Sequence, residues 1–359
     1  MVFKDKKAGN YINSRFVSLR FNALKADGNE LRKKYQVAVF PTVLFLNSAG
    51  DEIDRICGFD GDKDTYVKII TDYAAGKNTL KSILAEVKAK SGSVDVNYKL
   101  AKKYTSRYQR DKAAPYFQKV LKLDPEDKKG HKTEALCYTA LHEARANKSI
   151  TPLLSFIAAN TDKEFFYMSY NGLASYYAKT KKAEKAIAVF EEGLKKMPEH
   201  VGWLVNYARY IVGEKIESKY DRAAELAKKA VTLTPEKYKQ PAYMQLGYLF
   251  QDMKKFKKAE ETFLNILKTW PDYTGAIYQL GRNAVFSGKN LEKGLSYFKQ
   301  YLEHKPKAGD PEWADAYWRM GMIYEKLGDK KKAAAQYKEA LKLNPNHPNS
   351  KDSLKKLDS

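Results

Sequence analysis

Thiols and imidazoles are where redox, nucleophilic or metal chemistry would have to start in this chain of 359 residues, and it has few: Cys57, Cys137 and five histidines. The two cysteines lie 80 positions apart, which supplies neither a disulfide framework nor a metal-ligand cluster at short spacing. Cys57 sits on an apolar run and Cys137 within ALCYTAL, settings where an unpaired thiol behaves as a small buried hydrophobe. His131, His142, His200, His304 and His347 show no H-x-x-x-H or H-E-x-x-H spacing, and no Walker or dinucleotide glycine pattern occurs. Acids such as Glu191-Glu192 and Glu260-Glu261 lie among lysines on helical stretches, where i,i+4 pairing is their ordinary role. These residue types predict no catalytic residue, no cofactor and no metal.

The elements that must position the remaining side chains share one grammar, clearest in residues 314–345, ADAYWRMGMIYEKLGDKKKAAAQYKEALKLNP. Apolar and small residues at Tyr317, Met320, Gly321 and Tyr324, then at Ala333, Tyr337, Ala340 and Leu341, keep the i, i+3, i+4, i+7 spacing of helices that each bury one face. Gly328-Asp329 breaks the two helices apart, and Pro345 closes the unit. Closing prolines recur at Pro125, Pro198, Pro235, Pro271, Pro306 and Pro345, spaced 35 to 39 residues apart except for the double step from Pro125 to Pro198. That double step predicts a degenerate unit at 126–166, with helices near 131–146 and 150–159. Small residues mark the close approaches: Ala101, Ala174, Ala208, Gly247, Gly281 and Gly321 in first helices, and Ala113, Ala186, Ala223, Ala259 and Ala333 in second helices. One such unit cannot cover its own apolar face, so copies must stack.

This pattern resembles the tetratricopeptide repeat (TPR), and the resemblance implies an all-α solenoid of helix-turn-helix repeats over 94–349, about seven units. A capping helix at 350–359 would follow. In that family the first helices line a concave groove that holds a segment of a partner protein. Carried over in register, the inward positions are Tyr98 and Lys102, Asn171 and Ser175, Val205 and Arg209, Met244 and Tyr248, Tyr278 and Arg282, and Trp318 and Met322. Aromatic, thioether and guanidinium groups are enriched at protein interfaces. The implied partner is therefore a protein or peptide ligand in the groove. The equivalent positions do not supply the Lys and Asn set with which some members clamp a C-terminal carboxylate.

Residues 1–76 follow another rhythm: a helix at 5–14, a strand at 16–22 (FVSLRFN), a helix at 29–35, strands at 42–46 and 52–57 joined by Asn47-Ser48-Ala49-Gly50-Asp51, and a helix at 63–73. This order, with Tyr35-Gln36-Val37, Phe40-Pro41-Thr42 and Gly58-Phe59, resembles the C-terminal two thirds of a thioredoxin fold. The expected fold class is thus a partial α/β thioredoxin-like domain followed by the repeats, with a helical linker at 77–93. The resemblance implies a cis bond before Pro41 and a substrate-side loop at Phe40, Pro41 and Thr42. The family's first strand and Cys-x-x-Cys are missing. Either the module has lost its chemistry and the protein is an interaction scaffold, or it is a thiol:disulfide oxidoreductase whose cysteines lie upstream of Met1, the repeats then selecting substrates.

The formal net charge of +22 comes mostly from lysine in short runs throughout the chain. It favours solubility but names no partner. The groove positions and their neighbours carry five cations, Lys102, Lys179, Arg209, Arg282 and Lys326, against four acids, Asp95, Asp252, Asp315 and Glu325. The excess charge must therefore sit on turns and second helices, and lysines without interleaved aromatics read no bases, so nucleic-acid binding is not expected. No run of about eighteen apolar residues suggests a membrane span. The start as written implies a cytoplasmic protein, and an upstream start with a signal peptide would make it periplasmic.

Overall fold

The computed structural model describes residues 6–23, 26–58, 63–146, 149–160, 162–306 and 309–357. By its contacts the chain forms two units, Met1–Val189 and Phe190–Ser359. The described residues are mostly helical, with nineteen α-helices and one two-stranded sheet.

In the first unit α1 (Lys6–Asn13), α2 (Ala26–Lys34), β1 (Thr42–Leu46), β2 (Glu52–Cys57) and α3 (Lys63–Ala74) precede α4 (Leu80–Ala89). The strands pair antiparallel, Thr42 opposite Cys57. Their turn is fixed by the Asn47 side chain, which accepts from the amides of Ala49 (3.0 Å) and Asp51 (2.8 Å), and by Gly50 at φ +82°. A lone two-stranded hairpin is marginal in water. Here Phe45 and Ile56 are buried against Ile12 of α1 and Tyr66, Ile70 and Tyr73 of α3. Residues 16–22, expected as a strand, carry no strand, and among the described residues the sheet is made by β1 and β2. Alternation alone cannot make a strand without a ladder partner, and Val17 and Leu19 are left 91% and 75% exposed. Phe16 packs edge-on to Phe45 at 5.8 Å.

A buried charge cluster ties this hairpin to the helices that follow. Asp54 of β2, fully buried, accepts from the Leu80 amide (2.8 Å) and pairs with Lys103 (2.6 Å) and Arg107 at the end of α5 (Val94–Ser106). Glu52 pairs with Arg107 (2.8 Å) and with Arg55, whose guanidinium also donates to the Tyr35 carbonyl (2.7 Å). Burial alone would raise the Glu52 pKa, but the Arg55 hydrogen bond and the Arg107 and Arg55 charges outweigh it and hold the carboxyl below its usual range. Lys103 donates further to the Tyr73 hydroxyl and the Asn78 carbonyl, both at 2.8 Å, and burial lowers its pKa. Each charge is thus met by opposite charges and hydrogen bonds, the condition under which burying it is tolerated.

Fourteen helices then follow, taken here two by two in chain order. They are α5 with α6 (Arg110–Leu123), α7 (Lys132–Arg145) with α8 (Thr151–Ala159), and α9 (Phe166–Lys179) with α10 (Ala183–Lys196). Next come α11 (Val201–Gly213) with α12 (Tyr220–Leu233), α13 (Lys239–Asp252) with α14 (Phe256–Thr269), α15 (Thr274–Ser287) with α16 (Leu291–Leu302), and α17 (Trp313–Lys326) with α18 (Lys330–Leu343). The pair α7/α8 fills the stretch where a degenerate unit is expected. In the second unit the small residues of first helices meet aromatic rings of second helices. A Cβ on Gly247, Gly281 or Gly321 would lie 2.3, 2.8 or 2.3 Å from the rings of Phe263, Phe298 and Tyr337, all fully buried. A helical glycine costs about 1 kcal/mol relative to alanine, whereas fully burying a Phe-sized side chain contributes about 1.5–3 kcal/mol, so the exchange favours the glycine–ring contact. The next pair completes each core: Ile277, Tyr278, Leu295, Phe298 and Tyr301 close with Ala316, Met320 and Ile323 of α17. α19 (Pro348–Leu357) packs on α18 at the end.

Gly321→Ala tests the close approach. Tyr337 is fully buried and its hydroxyl donates to Glu325 at 2.9 Å, so the ring has little room to retreat. The overpacking cost should exceed the helix-propensity gain and lower the unfolding free energy by about 1–2 kcal/mol in urea denaturation. An unchanged or stabilised variant would show that the approach is not a constraint.

Candidate protein-binding face of the first helices

Helix geometry sorts the expected groove residues into two sets. Positions three before the small residue share its face, because i and i+3 lie on one stripe, whereas the position one after it is turned about 100° round the axis. Tyr98, Asn171, Val205, Met244, Tyr278 and Trp318 form the first set, and Lys102, Ser175, Arg209, Tyr248, Arg282 and Met322 the second.

The first set faces the interior or the next helix. Met244 and Tyr278 are each 4% exposed, which corrects their expected place on a groove wall: both are core residues, and the Tyr278 ring packs at 5.1 Å from Tyr301. Tyr98 is half-buried, stacked on His131 with 3.7 Å between ring centroids, and its hydroxyl donates to Glu134 of α7. Burial, then the Glu134 hydrogen bond and charge, push its pKa up. Trp318 is half-buried and donates its indole N–H to Ser353 of α19 at 3.3 Å, so it is engaged by the terminal helix. Asn171 and Val205 are half-buried.

The second set is more open. Lys102, Ser175 and Arg209 are exposed, and Tyr248, Arg282 and Met322 are half-buried. Two of them meet a side chain of the next first helix. Lys102 pairs with Glu134 at 2.5 Å, and Arg209 donates to Gln245 Oε1 at 2.5 Å. Glu134, Gln245 and Arg319 are participants that the sequence reading missed. For Gln245 and Arg319 the signal was available, since each stands two residues before Gly247 or Gly321. The Arg282 guanidinium lies 4.6 Å from the Phe286 ring centroid and donates to Gln279 Oε1 at 3.2 Å. Arg319 lies 5.3 Å from the same ring and 4.2 Å from Trp318, and its Nη1 reaches the Met322 sulfur at 3.7 Å. The runs Lys181-Lys182, Lys257-Lys258 and Lys330-Lys331-Lys332 are exposed at turns and second-helix starts.

In the N-terminal loop the Phe40–Pro41 bond is cis, and the Phe40 side chain is 57% exposed. The Pro41 carbonyl accepts from the Gly58 amide at 2.8 Å. The Thr42 hydroxyl donates to the Val39 carbonyl at 2.7 Å and lies 3.7 Å from the Cys57 sulfur. Cys57 is half-buried, less covered than its apolar strand suggests, because it ends β2. Cys137 is buried, which pushes its thiol up to about 12 and keeps it protonated. Among the described residues no helix is long and apolar enough to cross a membrane, and no group of three or more His, Cys, Asp or Glu could hold a metal ion.

Family models of the tetratricopeptide repeat match residues 169–195, 240–271 and 314–347. No curated protein matches the chain. A tetratricopeptide repeat protein from Parabacteroides merdae is similar in structure, with 16% identity, TM-score 0.45, and coverage of 74% of this chain and 99% of that one. PilW, described as a widely conserved type IV pilus biogenesis factor, gives 17%, 0.42, 73% and 98%. YrrB, described as a TPR protein with an unusual peptide-binding site, gives 20%, 0.37, 52% and 91%. Tetratricopeptide repeats generally mediate protein–protein interaction, and this chain carries them.

Proposed function

We propose that this protein is an interaction scaffold whose first helices bind a segment of a partner protein, with the repeats spanning 94–349 and the helix at 350–359 as their cap. The observation that carries this reading is the accessibility of Arg209, Tyr248, Arg282 and Met322. They stand exposed or half-exposed one residue past each helix's buried small position, while the second-helix rings of Phe263, Phe298 and Tyr337 fill the core. Each keeps part of its surface in water although Met322 and Tyr248 also touch the core, and aromatic, Met and Arg side chains are the residue types that protein interfaces favour. Residues 1–76 fit a thioredoxin-like module without thiol chemistry: the hairpin, the helix packed on it and the exposed Phe40 beside cis Pro41 follow that family's order. A buried, protonated Cys137 and a solitary Cys57 offer no thiolate pair.

Short random peptides displayed on phage and selected on the full chain test the face. Arg209→Ala with Tyr248→Ala should weaken the selected peptides by about tenfold or more, and Lys257→Ala with Lys258→Ala by less than about twofold. The opposite ordering, or a library that yields no binders, would contradict the reading. For the N-terminal module, the 359-residue chain should not accelerate insulin reduction by dithiothreitol, and clear acceleration would show an active thiol.

A further inference from the structure

At two junctions of the second unit the residue after one small position and the residue two before the next face each other. The first is Arg209 with Gln245, a cation facing an oxygen acceptor, and in the first unit Lys102 likewise faces Glu134. Between α15 and α17 the same positions hold Arg282 and Arg319, a cation facing a cation. Their side chains share the Phe286 ring, at 4.6 and 5.3 Å, and the Nε atoms of both are buried without a hydrogen-bond partner. The acceptors they do have are neutral: the Gln279 side-chain oxygen for Arg282 and the Met322 sulfur for Arg319. Among the described residues no carboxylate lies within ion-pair distance of either, and Asp252, exposed at the end of α13, acts on Arg282 only at longer range. Burial, then the charge of Arg319, lowers the Arg282 pKa.

We propose that Arg282 and Arg319 form the anion-binding point of this face and take a carboxylate side chain, Asp or Glu, from the bound partner segment. The proposal rests on the first-helix reading above. Two partly desolvated guanidiniums without an acid repel each other, and an incoming carboxylate relieves that repulsion while accepting from planar forks whose geometry suits it. A carboxylate supplies at this junction what Glu134 supplies at the first, namely the acceptor opposite the cation. The aromatic backing of Phe286 and Trp318 limits side-chain freedom, so less entropy is lost when the anion docks.

The selected peptides test this directly. They should carry an acid at one fixed position, and replacing it with the matching amide should weaken binding about tenfold or more, as should Arg282→Gln with Arg319→Gln. Combining the peptide change with the protein change should add little, because both remove one contact. Lys330→Gln with Lys331→Gln makes the same charge change on an exposed turn and should leave affinity within about twofold, separating the pair from the general pull of a +22 chain. Arg282→Lys with Arg319→Lys serves if the Gln variant folds poorly, and should shrink the acid-over-amide preference. Additive losses, or an acid preference that survives both variants, would overturn the anion point and leave the first-helix reading standing if Arg209 and Tyr248 still matter. Inorganic phosphate displacing the peptides at lower concentration than acetate would assign the pair to a phosphate group and equally overturn the carboxylate.

Discussion

The close approach of first to second helices, made where Gly247, Gly281 and Gly321 let an aromatic ring in, is the constraint on which the helices from α13 to α18 depend. At Gly321 the Tyr337 ring lies so near that no Cβ fits, and the same holds for Gly281 with Phe298 and Gly247 with Phe263. That contact sets the rotation of α13, α15 and α17. Once it is fixed, the residue three positions earlier turns toward the packing side, as buried Met244 and Tyr278 do, and the residue one position later keeps part of its surface in water, as Tyr248, Arg282 and Met322 do. The chemistry available to a partner is therefore decided by packing, because the rotation that buries the rings also selects which side chains are left in water.

Electrostatics plays a different part in the N-terminal region. A two-stranded sheet with a short apolar cluster is small for an independent fold. Asp54 and Glu52 on β2 join it through Arg107 and Lys103 to α5, so this anchoring depends on charge as well as apolar area. Such a cluster tolerates little change, since removing one member leaves the others buried without a counter-charge. Exposed Lys-Asp pairs such as Lys332 with Asp329 contribute far less, because water and salt screen them.

Much of the fold was legible in the sequence because its signals are local. Apolar spacing gave the helices, Gly328-Asp329 and Pro345 their limits, and Asn47-Gly50 the hairpin turn, all of which the structure contains. Residues 16–22 show the limit of such signals: alternation marks a strand, but pairing is a property of neighbours. The groove residues were half legible. The register assigned the groove to the first helices but placed residues from two faces on one wall, and only three-dimensional packing separates buried Tyr278 from half-exposed Arg282. Arg319 was missed because its importance comes from facing Arg282 across a junction of 37 residues, and the buried Asp54 cluster because its charges lie about 50 residues apart on β2 and at α5 and read singly as surface charges.

The central claim is that partners are held by the outward positions of the first helices. The most direct measurement is photo-crosslinking of a selected peptide carrying a photoreactive side chain, with the attached residues mapped by mass spectrometry. The account predicts attachment on first helices, at or beside Arg209, Tyr248, Arg282 and Met322. Attachment concentrated on the lysine-bearing turns near Lys257-Lys258 and Lys330-Lys331-Lys332 would contradict it.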